Sequence, residues 1–267
     1  AALALRGSID ALQLERGELR IGAGEAKLPD QPGLAVVAQL PRWTWTTPAK
    51  TPSSLAREGR GCKAFNRPEP PSSPLTLLRR LDARIDQLTL AGQTFNSVTV
   101  NAARYAEGLR IELDSAALAG RLTVPDEPTP QHPVNAALQR LHIRSTTNGP
   151  SEVQPDPCQW PPLVFTAAGL RVNDRNLGRL RFVAMPDAEG VRLSSIELSS
   201  ERQRIEASGA WQWNNDVQAS RIKATLHSPA LGETLADFGY PDAGMARGET
   251  QAELDAEWVG ALPDFAL

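Results

Sequence analysis

Residues 88–115 read LTLAGQTFNSVTVNAARYAEGLRIELDS, and the reading of this stretch decides the fold. It predicts three short strands: Leu88–Leu90, Phe95–Ala102 and Leu109–Leu113. Val98, Val100 and Ala102 alternate with polar neighbours, as do Leu109, Ile111 and Leu113. Such a period of two over several residues marks a half-buried strand. The pattern returns 82 residues later without a gap. Leu88 and Leu90 become Leu170 and Val172, and Phe95 becomes Leu177. Val98 and Val100 become Leu180 and Phe182. Gly108, Leu109 and Ile111 become Gly190, Val191 and Leu193. A looser copy is read upstream, where Leu12, Leu14 and Leu19 precede Leu88, Leu90 and Phe95 by 76 residues, and Gly33 and Leu34 precede Gly108 and Leu109 by 75. Repetition at a fixed period signals stacked supersecondary units, each expected here to be an antiparallel β-meander.

Working outward, residues 1–40 predict a first, partial β unit with strands near Leu3–Ile9, Leu12–Leu14, Glu18–Ile21 and Leu34–Leu40. Residues 41–73 are rich in Pro, Gly and Ser and carry no sustained period, so an irregular insertion is expected, with room for a short helix at Ser53–Glu58. Residues 74–145 predict the second β unit. Ser73-Pro74 reads as a helix start, and LTLLRRL after it as about two helical turns. The apolar phase then slips between Ile85 and Leu88, which suggests a bulge or bend. Residues 125–133 contain too many prolines for a central strand. Residues 146–162 predict a second irregular loop. Residues 163–267 give the third unit, with strands over 163–172, 177–184, 190–198, 203–213, 219–228 and 251–258. A helix is expected near 229–239, where Leu231, Leu235 and Phe238 share one face and Gly239 ends it.

The bulk numbers exclude several classes. Net charge is −3 and no basic block exists, so no nucleic-acid partner is expected. Hydrophobic residues make up 41% of the chain but aromatics only 5%, the composition of a sheet with one dry and one wet face. The longest uncharged apolar run, Leu34–Leu40, falls far short of the ~18–20 residues of a spanning helix. The chain lacks an initiator Met and a signal-peptide pattern, and is expected to be a piece of a longer protein. Cys62 and Cys158 have no metal-site spacing. Both fall in irregular loops, and an oxidising compartment would allow a disulfide between them; two unrelated thiols are the alternative.

Enzyme signatures are missing: there is no G-x-S-x-G, Walker loop, H-E-x-x-H or C-x-x-C. His132, His142 and His227 are isolated, and no metal or cofactor is expected. Glu112 and Asp114 read as a solvated strand face, and Asn173-Asp174-Arg175-Asn176 as a turn. The six tryptophans are read as packing rather than a sugar platform.

Residues 168–213 (AGLRVNDRNLGRLRFVAMPDAEGVRLSSIELSSERQRIEASGAWQW) and 221–265 (RIKATLHSPALGETLADFGYPDAGMARGETQAELDAEWVGALPDF) resemble the periplasmic part of YhdP-family proteins. These belong to the AsmA-like superfamily, to which TamB is related. Residues 81–125 are similar to the preceding section of that family. The resemblance rests on a spacing pattern with no catalytic residue, closed by the Leu-x-x-x-Leu-x-x-Phe-Gly-Tyr helix at Leu231–Tyr240. It implies a mostly β fold, an elongated β-sheet curled into an apolar groove with short helices between units. It implies phospholipid as ligand and a periplasmic location in a Gram-negative envelope. An inner-membrane anchor would lie outside this chain, and outer-membrane or periplasmic proteins could be partners. The expected lining is Val98, Val100, Leu109, Ile111, Leu113, Leu122, Leu180, Phe182, Val191, Leu193, Ile205, Trp211, Ile222, Leu226 and Leu254. Alternation alone leaves a second reading open, in which these residues form the closed core of a non-catalytic scaffold.

Overall fold

A computed structural model describes residues 1–6, 13–45, 62, 77–90, 92–144, 156–214, 217–240 and 248–261. The helix expected at Ser53–Glu58 lies outside them. The chain divides into two compact units. The first holds residues 1–47 and 67–126, the second residues 48–66 and 127–267.

The first unit contains β1 (Ala2–Arg6), β2 (Gln13–Ile21), β3 (Gly33–Trp45), β4 (Leu78–Leu90), β5 (Gln93–Tyr105), β6 (Gly108–Asp114) and β7 (Leu118–Pro125). The second contains β8 (Val134–Ile143), β9 (Leu163–Val172), β10 (Arg175–Pro186), β11 (Gly190–Ser199), β12 (Arg204–Asn214), β13 (Val217–Ser228), helix α1 (Leu231–Phe238) and β14 (Thr250–Val259). Within each unit every strand pairs with its sequence neighbours, and the first and last strands do not pair with each other. The fold is mostly β, and the strands do not close into a barrel.

Most pairs are antiparallel, but β2–β3, β3–β4 and β8–β9 are parallel. A parallel pair needs a long crossover, and residues 46–77 connect β3 to β4 while residues 144–162 connect β8 to β9. This arrangement corrects the upstream copy of the repeat. Leu14 and Leu19 lie on one strand, β2, paired in parallel with β3, whereas Leu90 and Phe95 lie on two antiparallel strands. It also corrects the helix expected at LTLLRRL. From Leu78 onward that segment is β4, with Leu81 and Ala83 registered on Val36 and Ala38 of β3. The pairing partner overrides a weak local helical preference. β3 itself runs on to Trp45, beyond the point where an insertion was expected.

The true repeat is β4–β7 against β9–β12, and its glycines have a steric cause. A Cβ on Gly108 would lie 2.2 Å from the Val124 carbonyl oxygen, and one on Gly190 would lie 2.2 Å from that of Trp211. Each glycine opens a strand where the backbone of the next strand passes against it. The expected phase slip is also present. Leu40, Ile85 and Val98 are followed by Trp43, Leu88 and Phe95 at a step of three rather than two, at one level of three neighbouring strands. Ser97, inside that step on β5, takes a left-handed φ of 52°. α1 ends on Gly239, φ 109°, as its position after Phe238 predicts.

Gly108→Ala and Gly190→Ala should each cost ~1–3 kcal/mol through backbone overlap. Gly248→Ala, with nothing within 4 Å of the added carbon, should stay within about 0.5 kcal/mol of wild type. Urea midpoints of the three variants check this.

Candidate functional site

Directly paired residues face the same side of a sheet, so the register shows which side chains share a face. In the first unit Ala83, Val100, Leu113 and Gly120 form one row across β4 to β7, and Leu81, Ala102, Ile111 and Leu122 form the next. Leu109 pairs with Val124, and Val98 with Ile85. The six expected lining residues of this unit, Val98, Val100, Leu109, Ile111, Leu113 and Leu122, therefore share one face. Val36, Leu81 and Ile111 pack against a buried cluster of Leu78, Ala102 and Leu109. The opposite face is charged, with Arg121 paired to Glu112 at 3.1 Å.

In the second unit one row runs Leu180, Leu198, Ile205, Leu226, Ala252, and the next Phe182, Ile196, Ala207, Ala224, Leu254. A third runs Ala184, Leu193, Gly209, Ile222, Ala256, and Val191 stands opposite Trp211. All nine expected residues of this unit lie on that one face. Ile196 and Leu198 belong to it too and escaped the sequence reading. Leu193 and Ile196 are three apart because Ser194 is an extra residue on β11 against both of its neighbours. The consecutive serines 194 and 195 were the available signal.

Burial along the face is uneven. Val98 and Val191 are 1% exposed, as is Trp211, while Leu254 on β14 is 48% exposed. Ile205, Ile222 and Leu226 lie between these extremes. A hollow of about 590 Å³ over β12 to β14 belongs to the opposite side: it is lined by the rows Glu206, Thr225, Glu253 and Ser208, Lys223, Asp255, with Ala207, Ala224 and Leu254 between them.

One end of the second unit's face is covered by the chain. Residues 156–162 form a strap that contains a short 3-10 turn, Pro157–Gln159. Trp160 meets Trp211 edge to face with ring centres 6.0 Å apart. Trp160 and Leu163 pack on Ala184, Val191, Leu193, Trp211 and Ala261. The indole Nε1 of Trp213 donates to Asp156 Oδ1 at 3.0 Å, and the Cys158 amide donates to the same oxygen. Cys158 is bonded to Cys62, whose own amide donates to the Ala188 carbonyl at 2.7 Å. The bridge thus fastens the strap to the turn between β10 and β11. Nothing in the sequence pattern indicated that the strap would lie on the apolar side.

The other end is polar. The amide of Ser200 donates to the Gln203 carbonyl, closing the turn between β11 and β12. Thr234 of α1 donates from its hydroxyl to the Arg202 carbonyl and shares a 2.9 Å hydrogen bond with the Ser228 hydroxyl. Arg202 pairs with Asp237 at 2.9 Å. α1 is therefore tied down over this turn. Among the described residues, no group of three or more His, Cys, Asp or Glu gathers to hold a metal ion.

The bridge closes a span of 96 residues, and its loss should lower stability by ~2–5 kcal/mol. Thermal scans with and without a dithiol reductant check this. The wild-type midpoint should fall on reduction, and a Cys62→Ser, Cys158→Ser double variant should not respond.

A family model described as "YhdP protein" matches residues 2–267. No curated protein and no solved structure matches the chain.

Proposed function

The chain belongs to the YhdP family, and from that membership and the one-sided apolar face we propose that it is part of a non-catalytic carrier of phospholipid in the bacterial envelope. The supporting observation is a continuous apolar face that stays partly open across β12 to β14, with Leu254 half exposed. The physical need is large. Each methylene of an acyl chain costs ~0.8 kcal/mol in water, so one chain of about sixteen carbons faces ~12 kcal/mol. A sheet that offers hydrocarbon on one side and charge on the other removes that penalty and leaves the headgroup wet. Binding of this kind is non-directional, so the lining needs apolar area rather than one essential residue. The setting this reading requires is the space between two membranes, reached from the inner membrane through a segment outside these 267 residues. Proteins of the periplasm or outer membrane would receive the lipid.

A second reading draws on the deeply buried part of the face. Val98, Val100, Val191 and Trp211 are at most 4% exposed, as core residues of a scaffold would be. Charge placed where the face is open separates the two. Native mass spectrometry of the purified chain should find bound phospholipid. Ile222→Asp with Leu254→Asp should cut that occupancy at least about tenfold, with strand content by circular dichroism unchanged. A wild-type chain free of lipid would leave the scaffold reading.

A further inference from the structure

The two ends of the second unit's strands are covered in different ways. The strap over Trp211 is fastened by a covalent bond, Cys62 to Cys158. At the other end α1 is held by contacts that break and reform readily. Arg202 pairs with Asp237 at 2.9 Å and reaches Glu233 at 3.6 Å, and the Thr234 hydroxyl makes its two hydrogen bonds. A helix of eight residues is too short to hold itself together in water, and no side chain caps the start of α1. It follows Ser228 at the end of β13, and Gly239 at its far end rests on Arg175 at the start of β10, where an added Cβ would lie 2.7 Å from the guanidinium. α1 therefore crosses the ends of β10 to β13. The first apolar row inside that rim takes one residue from each of these strands: Leu180, Leu198, Ile205 and Leu226. All four are half-buried.

The fit beneath α1 is imperfect. Arg204 pairs with His227, so one step nearer the rim Gln203 comes opposite Ser228, in phase with Ile205 and Leu226 of the apolar face. Thr234 meets this pair. Its hydroxyl lies 2.9 Å from that of Ser228 and donates at 2.9 Å to the carbonyl of Arg202, the residue before Gln203. Thr234, Ser228 and Gln203 are all buried, Gln203 at 3% exposure. Ser228 and Thr234 satisfy one another, but neither amide atom of Gln203 has a hydrogen-bond partner. An unpaired buried polar group is costly, and native structures rarely leave one without a reason. Water at an opened rim would supply both partners. The closed position of α1 thus carries a penalty that an open position does not.

We propose that α1 is a lid poised to lift from the apolar face, and that acyl chains enter beneath it along the rim of β10 to β13. The proposal rests on the lipid-carrier reading and adds the place of entry to it. With α1 raised, the row Leu180, Leu198, Ile205, Leu226 opens to the side and the Gln203 amide is hydrated. With α1 down, that row is walled off. The ties of α1 all lie at the rim, so it can open locally while the strand ladders stay intact. The unlike fastenings give the two ends unlike parts: a fixed wall over Trp211 and a moving one over Ser228.

Two substitutions under the lid should move it in opposite directions. Gln203→Leu removes the two unpaired atoms and favours the closed position. Thr234→Val keeps the shape, removes the hydroxyl and favours the open one. Hydrogen exchange of the α1 amides, measured against those of β12 and β13 in the same chain, reads the lid without lipid. Exchange should slow at least about fivefold in Gln203→Leu and quicken by about as much in Thr234→Val, the scale of one buried hydrogen-bonding group. The strand amides should not change. Uptake from vesicles of phosphatidylethanolamine and phosphatidylglycerol, followed over time by native mass spectrometry, should slow and quicken in the same order and reach the same final occupancy. Exchange in α1 that fails to slow in Gln203→Leu overturns the lid. Exchange that shifts as expected while uptake rates stay equal overturns the entrance. If the wild-type chain takes up no lipid, the carrier reading fails and the entrance with it, while exchange in α1 still decides whether the lid exists.

Discussion

Strand register is the constraint on which the structure depends. Side chains alternate along a strand and match across a pair, so an apolar side set in one strand is handed to the next only if the count is kept. A slip of one residue would turn the whole set of a strand towards the other side. The hand-over succeeds from β4 to β7 and again from β9 to β14. Where it is disturbed, the disturbance is shared. The three-residue step occurs together in β3, β4 and β5. Ser194 on β11 is an extra residue against β10 and β12 alike, so Ile196 and Leu198 regain the common face beyond it.

Much of this was legible because the signals are local. Alternation at Val98–Ala102 and Leu109–Leu113 gave the strands. The 82-residue period gave the repeated unit, and the match of Gly108 to Gly190 turned out to be a match of steric need. The expected lining residues fall on one face within each unit for the same reason. What failed was whatever depends on partners distant in sequence. Parallel pairing of β3 with β4 cannot be read from either strand alone, and that pairing makes Leu78–Leu81 a strand instead of a helix. For the strap the sequence predicts only a loop, and its position over Trp211 follows from the bond to Cys62 and from the Asp156–Trp213 hydrogen bond.

Side-chain size along the second unit's face argues about what it is for. Where the face is shut, it is filled with bulk: Val191, Leu193 and Trp211 under Trp160. Protein interiors are packed without voids, and that end meets the requirement. Further along, the same face is built from Ala207, Gly209, Ala224, Ala252 and Ala256 between isolated larger residues. Such short side chains cannot reach across to fill an interior, and Leu254 among them is half exposed. A chain that needed a closed core here would have continued the valines and leucines of its other end. Small residues on an apolar floor instead leave depth that the described side chains do not fill, which is the room the carrier reading asks for. The strap sets where that depth stops, and the turn held by α1 sets where polarity resumes.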